Sequence, residues 1–195
     1  RYKLLGKPID DAAGEAFDKV AKMLDLGYPG GGALVEKAAL SGDSRRFNFP
    51  RPLAKEKNMD FSFSGLKTAV LHAIKSLPAP LTAQDKSDIC ASFQAAVIDV
   101  MSIKVARAID RFSADFSDSD KSKTLVVAGG VAANKSLRQA LHELAEQRGF
   151  SFVAPSLKLC TDNGAMIALA GLERLKLGLT DSLAFRPRPR WPLYE

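Results

Sequence analysis

Residues 125–138 read LVVAGGVAANKSLR. An apolar run of strand character, Thr124 to Ala128, meets the pair Gly129-Gly130, passes through small residues and reaches Asn134 where a helix carried by Leu137, Leu141 and Leu144 begins. A glycine pair after a strand lets backbone N–H groups approach a ligand that a side chain would block, and the helix start beyond it favours an anion. Such a turn suits a nucleotide. The same residues also read as a plain tight turn with Asn134 as its N-cap, and GGVAAN is not a GxGxxG fingerprint, so its neighbours must decide.

Downstream, Gly149 ends that helix, Phe150 to Ala154 is a second short strand, and Asn163 to Leu177 is a last helix stopped by Gly178. Upstream, Thr82-Ala83-Gln84-Asp85 resembles a capping box that opens a long helix through Phe112, with Ile89, Phe93, Ala96, Val100 and Ile103 on its buried face. Leu66, Val70, Ala73, Ile74 and Leu77 mark a helix that stops at Pro78. Asp10 and Asp11 are placed to cap a helix with Ala13, Phe17, Val20, Ala21 and Leu24 inward and Gly27 as its stop. The loop Tyr28-Pro29-Gly30-Gly31-Gly32 precedes a short helix, Ala33 to Leu40. Arg45 to Pro52 is basic and broken by proline, and Asp60-Phe61-Ser62-Phe63-Ser64-Gly65 alternates as an edge strand does. Ser113 to Lys123 reads as a surface loop. Strands alternating with helices predict an α/β layer fold, a mixed sheet flanked by helices.

The chain has 195 residues, 46% of them hydrophobic, enough for one real core in one domain or one large lobe. Its 28 Lys and Arg against 22 Asp and Glu leave a net charge of +6, which favours a polyanionic partner. Cys90 and Cys160 lie in apolar segments without CxxC spacing, which fits a reducing compartment and a cytoplasmic location. No run reaches the roughly 18 consecutive apolar residues of a membrane span, and the first residues lack a signal-peptide layout. No membrane is expected. There is no HExxH motif and no recognisable nucleophile and histidine arrangement, so protease chemistry gains no support.

Other stretches keep the turn company: IDDAAGEAFDKVAKMLDLGYPGG from Ile9, FPRP from Phe49, DFSFSGLKTA from Asp60, CTDNGAMIALAG from Cys160 and the terminal RPRWPL. With VVAGGVAANKSLR they resemble, in order and over essentially the whole chain, the tRNA adenosine threonylcarbamoyltransferases (TsaD), which long carried the label O-sialoglycoprotein endopeptidase. The resemblance implies the two-lobed architecture of the actin, hexokinase and heat-shock ATPases. Residues 1–195 would be the C-terminal lobe, with the N-terminal lobe absent and a basic, proline-rich tail at 185–195. It further implies transfer of a threonylcarbamoyl group from threonylcarbamoyl-adenylate to the adenosine beside the anticodon, in tRNAs reading codons that begin with adenine. A paralogous subunit and a small ATPase would be its partners.

On the matching positions, the resemblance makes Asp18, Gly31 and Asn134 nucleotide contacts and Asp162 a ligand of one divalent metal ion, iron or zinc. A carboxylate can accept from ribose hydroxyls, a glycine admits the nucleotide, and an amide can both donate and accept. The plain alternatives are a solvated charge at Asp18 and N-caps at Asn134 and Asp162. Glu36 is assigned no role, and no catalytic residue is identified. The family's HxxxH metal histidines, its phosphate loop and its serine-glycine-glycine-histidine loop are not in this sequence, so the remaining metal ligands are expected in the N-terminal part. His72 and His142 stand alone on predicted helices. The chain by itself is expected to be inactive. Two other functions remain open: a family relative that serves as a dimerisation scaffold, and a small-molecule kinase of the same architecture. The tail Arg186-Pro187-Arg188-Pro189-Arg190-Trp191 either meets RNA or docks on its own lobe.

Overall fold

The computed structural model describes residues 2–27, 30–116 and 123–188. In chain order these form α1 (Ala13–Met23), α2 (Gly31–Ala39), α3 (Ser64–Ser76), α4 (Ala83–Asp115), β1 (Thr124–Val126), α5 (Lys135–Gln147), β2 (Ser151–Val153) and α6 (Gly164–Lys176). The class is α/β, with helices and, among the described residues, a sheet of two parallel strands where a mixed sheet was expected, because the only two strands are joined by the crossover helix α5.

Helix α4 is the axis of the core. Thr82 and Asp85 form the expected capping box: the Thr82 hydroxyl accepts from the Asp85 N–H at 3.1 Å, and the Asp85 carboxylate accepts from the Thr82 N–H at 3.0 Å. Ile89, Phe93, Ala96, Val97 and Val100 are then buried at helical spacing. Phe93 meets Phe17 of α1 edge to face, with ring centroids 5.0 Å apart. The 33 residues of α4 are long and apolar enough to cross a membrane by length and composition. In this fold 56% of the apolar window is buried, so α4 is the core helix of the layer.

Long-range polar ties fasten the loops to α4. Arg46, in the basic stretch, reaches Asp88 at 2.7 Å and Asp85 at 2.6 Å, and Arg51 reaches Asp99 at 2.7 Å. Both guanidinium groups thus meet carboxylates of the fold. The Lys104 ammonium, fully buried, donates to the carbonyl oxygens of Asn58 at 2.8 Å and Glu56 at 3.3 Å. Burial holds that ammonium below the usual lysine range.

Two local expectations change. The N-cap of α1 is Ala12, without a side-chain cap, and neither Asp10 nor Asp11 takes that place. The Asp10 carboxylate accepts instead from the Phe63 N–H at 2.9 Å and from the Ser62 and Ser64 hydroxyls, because a tertiary site offers it three donors where the helix start offers fewer. The alternating stretch at Asp60 makes one parallel bridge, Pro8 with Phe61, and no strand. Aromatic burial, with Phe63 at 1% exposure, explains the alternation better than sheet pairing.

Strands β1 and β2 pair in parallel, Leu125 opposite Phe152, with α5 as the crossover between them. Ile109, Ala145 and Phe150 form a second, smaller core beneath them, flanked by Phe112, Leu125 and Phe152. After Cys160 the character changes: from residue 164 to residue 188 every residue is exposed, α6 included. Arg186 and Arg188 belong to that exposed stretch, whereas residues 189–195, with Arg190 and Trp191 of the expected basic tail, lie outside the described residues. So do residues 117–122 of the expected surface loop, while α4 runs on to Asp115.

Candidate functional site

A cavity of about 530 Å³ opens where α1, the start of α2 and the turn before α5 converge. Gly14, Phe17 and Asp18 supply one wall, Gly30, Gly32 and Glu36 a second, and Gly130, Val131 and Asn134 a third, with Thr161 at the edge. Three stretches far apart in sequence thus meet at one place.

The first two walls are held together by a close approach of helices. Gly30 has a φ of 90°, in the left-handed region, and starts α2. A Cβ on Gly31 would stand 2.6 Å from the Asp18 Cα and 2.9 Å from the Ala21 Cβ, so only glycine lets α2 lie against α1 here. Gly31 is buried under the cavity rather than among its lining residues. It sets the position of Asp18, whose carboxylate is exposed at the cavity.

In the third wall, Gly129 takes a φ of 89° and the chain makes a single 3-10 turn, Gly130–Ala133, before α5. No atom would crowd a Cβ at Gly129 or Gly130, so that side is open space. Asn134 is 7% exposed and is the N-cap of α5, its Oδ1 accepting from the Leu137 N–H at 2.9 Å. Its Nδ2 donates to Gln94 Oε1 at 2.7 Å. The N-cap and the cavity roles, alternatives in the sequence, are held by one residue. The anion that the helix start favours is supplied internally: Glu36 Oε1 accepts from the Lys135 N–H at 2.6 Å, placing a carboxylate on the positive end of α5.

Arg138 binds the last segment to this frame. It donates to the Ala132 carbonyl at 3.0 Å, to the Pro155 carbonyl at 2.9 Å and to Cys160 Sγ at 3.2 Å, which brings Thr161 to the cavity edge. Asp162 follows, exposed, one residue beyond the lining. The N-cap of α6 is Asn163, whose Oδ1 accepts from the Met166 N–H at 3.0 Å, so the capping alternative for Asp162 does not apply. Among the described residues no group of three or more His, Cys, Asp or Glu is close enough to hold a metal ion. Cys90 is buried and burial pushes its thiol up to about 12, which leaves it protonated and unreactive at neutral pH.

Asp18 and Asn134 therefore share one cavity, Gly31 supports it, and Asp162 stands just outside. The sequence leaves Glu36 without an assigned role and does not single out Gln94 or Arg138. Their partners lie 99, 40 and up to 22 positions away, and no local spacing signals such contacts. Chemically, the cavity offers carboxylates as acceptors, an amide, an aromatic ring and glycine backbone that admits close approach. That set suits a ligand with hydroxyls and a flat apolar part.

The model of the family described as tRNA N6-adenosine threonylcarbamoyltransferase matches residues 1–169. A tRNA N6-adenosine threonylcarbamoyltransferase of Rhodospirillum rubrum is 60% identical over 194 residues, covering 99% of this chain and 52% of its own length. One from Brucella ovis is 59% identical over 194 residues, covering 100% of this chain and 53% of its own. The Brucella abortus protein of the same name is likewise 59% identical over 194 residues. This chain thus spans about half the length of the curated relatives it matches. With the family model matching residues 1–169 and identity near three residues in five, the chain belongs to the tRNA N6-adenosine threonylcarbamoyltransferase family.

Proposed function

We propose that the protein to which this chain belongs transfers a threonylcarbamoyl group from threonylcarbamoyl-adenylate to the adenosine beside the anticodon of tRNA, and that the cavity described above holds the adenosine part of the adenylate. The observation that carries this reading is the convergence of Asp18, Gly30, Gly32 and Asn134 on one cavity in a chain of this family. Asp18 accepts from ribose hydroxyls, Phe17 offers an apolar face, and the glycine edges let the nucleotide lie against backbone. The reaction needs little covalent work from these residues. Their task is to hold the adenylate still while the exocyclic amine attacks the carbonyl carbon, since fixing two reactants in line removes much of the entropic barrier.

In this reading residues 1–195 are the C-terminal lobe of an actin-like ATPase fold, and the other lobe closes over the cavity. Asp162 is one ligand of a divalent iron or zinc ion completed by residues of that other lobe. A single exposed carboxylate beside the cavity edge fits one position of such a site, and the ion, when bound, neutralises phosphate and polarises the acyl oxygen. The protein works in the cytoplasm with a paralogous subunit and a small ATPase. The +6 charge agrees with tRNA as its substrate.

Isothermal titration with AMP, for the chain and for its Asn134→Ala form, tests the adenosine pocket. Binding that weakens by about tenfold or more on substitution, with helix content retained by circular dichroism, is the expected result. Equal affinity in both forms would remove Asn134 from the pocket and leave the adenylate reading without its main support.

A further inference from the structure

We infer that Gln94 is the residue that positions Asn134, fixing its amide so that one Nδ2 hydrogen remains to donate toward whatever occupies the cavity. The second half rests on the adenosine reading given above; the first stands without it.

An asparagine amide has two hydrogens on Nδ2 and one acceptor oxygen. Here the oxygen is identified by a backbone partner, because the Leu137 N–H at 2.9 Å can only donate. The other terminus of the amide is therefore Nδ2, and it donates to Gln94 Oε1 at 2.7 Å. Both side chains are buried, at 7% and 8% exposure, so neither contact is diluted by water. Two contacts from different directions, one from α5 and one from α4, fix the plane of the amide. The cap alone would leave the nitrogen end free to swing about the capping bond.

With one lone pair of Oδ1 engaged by the cap and one Nδ2 hydrogen engaged by Gln94, Asn134 keeps its second Nδ2 hydrogen for the cavity it lines, beside the second lone pair of Oδ1. A ligand group that accepts, as a ribose oxygen or a purine ring nitrogen does, is met there by that hydrogen. A ligand group that donates is met by Asp18 on the α1 wall. Gln94 holds the orientation of that amide from outside the lining. Gln94 is thus a positioning residue.

The test has a ligand-free arm and a ligand arm, both in the full-length protein. In ¹⁵N spectra the Asn134 side-chain amide should show one slowly and one rapidly exchanging proton. Gln94→Met, which keeps volume and removes the acceptor, should speed the slow proton about tenfold, whereas Gln94→Glu, which keeps an acceptor oxygen, should stay within about twofold. In titrations with AMP, Gln94→Met should weaken binding about tenfold, and should add nothing in an Asn134→Ala background. Unchanged proton exchange in Gln94→Met overturns the positioning role, as does an equal loss of affinity with and without Asn134. The predicted exchange pattern in a wild-type protein that does not bind AMP would uphold the positioning role and overturn the adenosine reading instead.

Discussion

Two apolar helices of this chain meet opposite fates. In α4, Val97 and Phe93 are completely buried and the helix is surrounded by α2, α3 and α5. In α6, Ile167 is 75% exposed and Leu172 49%, and no residue of the helix is buried. Both helices are strongly apolar and both are capped, α4 by Thr82 and α6 by Asn163. Capping and periodicity decide that a helix forms. What it meets is decided by the rest of the chain, and stability follows the second, because burial rather than propensity supplies most of a helix's free energy in water.

The largest effect that this contrast predicts is at Val97. Replacing it with aspartate puts a carboxylate among Phe93, Val100 and their neighbours with no partner, and an unpaired buried charge costs on the order of 4 kcal/mol or more. Urea unfolding followed by circular dichroism should show Val97→Asp largely unfolded before denaturant is added. A midpoint near the wild type would mean that α4 is not the axis of the core.

A smaller effect separates the ion pairs of the two regions. Asp88 is held below the ordinary carboxylate range: burial works to raise it, but hydrogen bonds from Arg46, the Asp43 N–H and Gln84 outweigh that. Asp85 is lowered as well, first by the Thr82 hydroxyl, then by the Thr82 N–H and Arg46. A carboxylate lowered in the folded state contributes stability that is complete above its unfolded pKa, about 4, and disappears as pH falls through the folded value. Melting temperature should therefore drop on acidification below about pH 4. Arg46→Met should melt lower than wild type at pH 7, with the gap closing in acid as both carboxylates take up protons. A gap of constant size from pH 7 to pH 2 would show that Arg46 acts through packing and not through charge. The ion pairs of α6, Arg174 with Asp181 and Lys176 with Glu173, are exposed, and pairs of that kind contribute little to stability.

What could be read beforehand follows the same division between local and distant causes. The capping box at Thr82 and the crossover of β1, α5 and β2 are written in neighbouring residues and were legible. Asp10 was not, because its three donors come from Ser62, Phe63 and Ser64, more than fifty positions away. Gly31 was legible as a place where backbone must come close, and the close neighbour that the structure shows is Asp18 of α1. At Asn134 the sequence set capping against ligand contact as alternatives. The structure shows that capping does not remove the residue from the cavity: Asn134 caps α5 through its oxygen, ties its nitrogen to Gln94 and also lines the cavity. Gln94, on an otherwise apolar helical face beside Phe93, carried a weak signal, a polar residue where periodicity asks for an apolar one.

The smallest predicted effect is the sharpest test of the contrast. Leu172→Asp places the same charge on an equally apolar helix, yet in the 195-residue chain it should change unfolding free energy by no more than about 0.5 kcal/mol, because the side chain is solvated in the folded and unfolded states alike. Helix propensity argues for a small loss, aspartate being a poorer helix former than leucine, and relief of exposed apolar surface argues for a small gain in solubility. The two nearly cancel. A loss of several kcal/mol, approaching that of Val97→Asp, would show that α6 is buried in solution against some part of the molecule, and the division into a packed block and an exposed C-terminal stretch would fail with it.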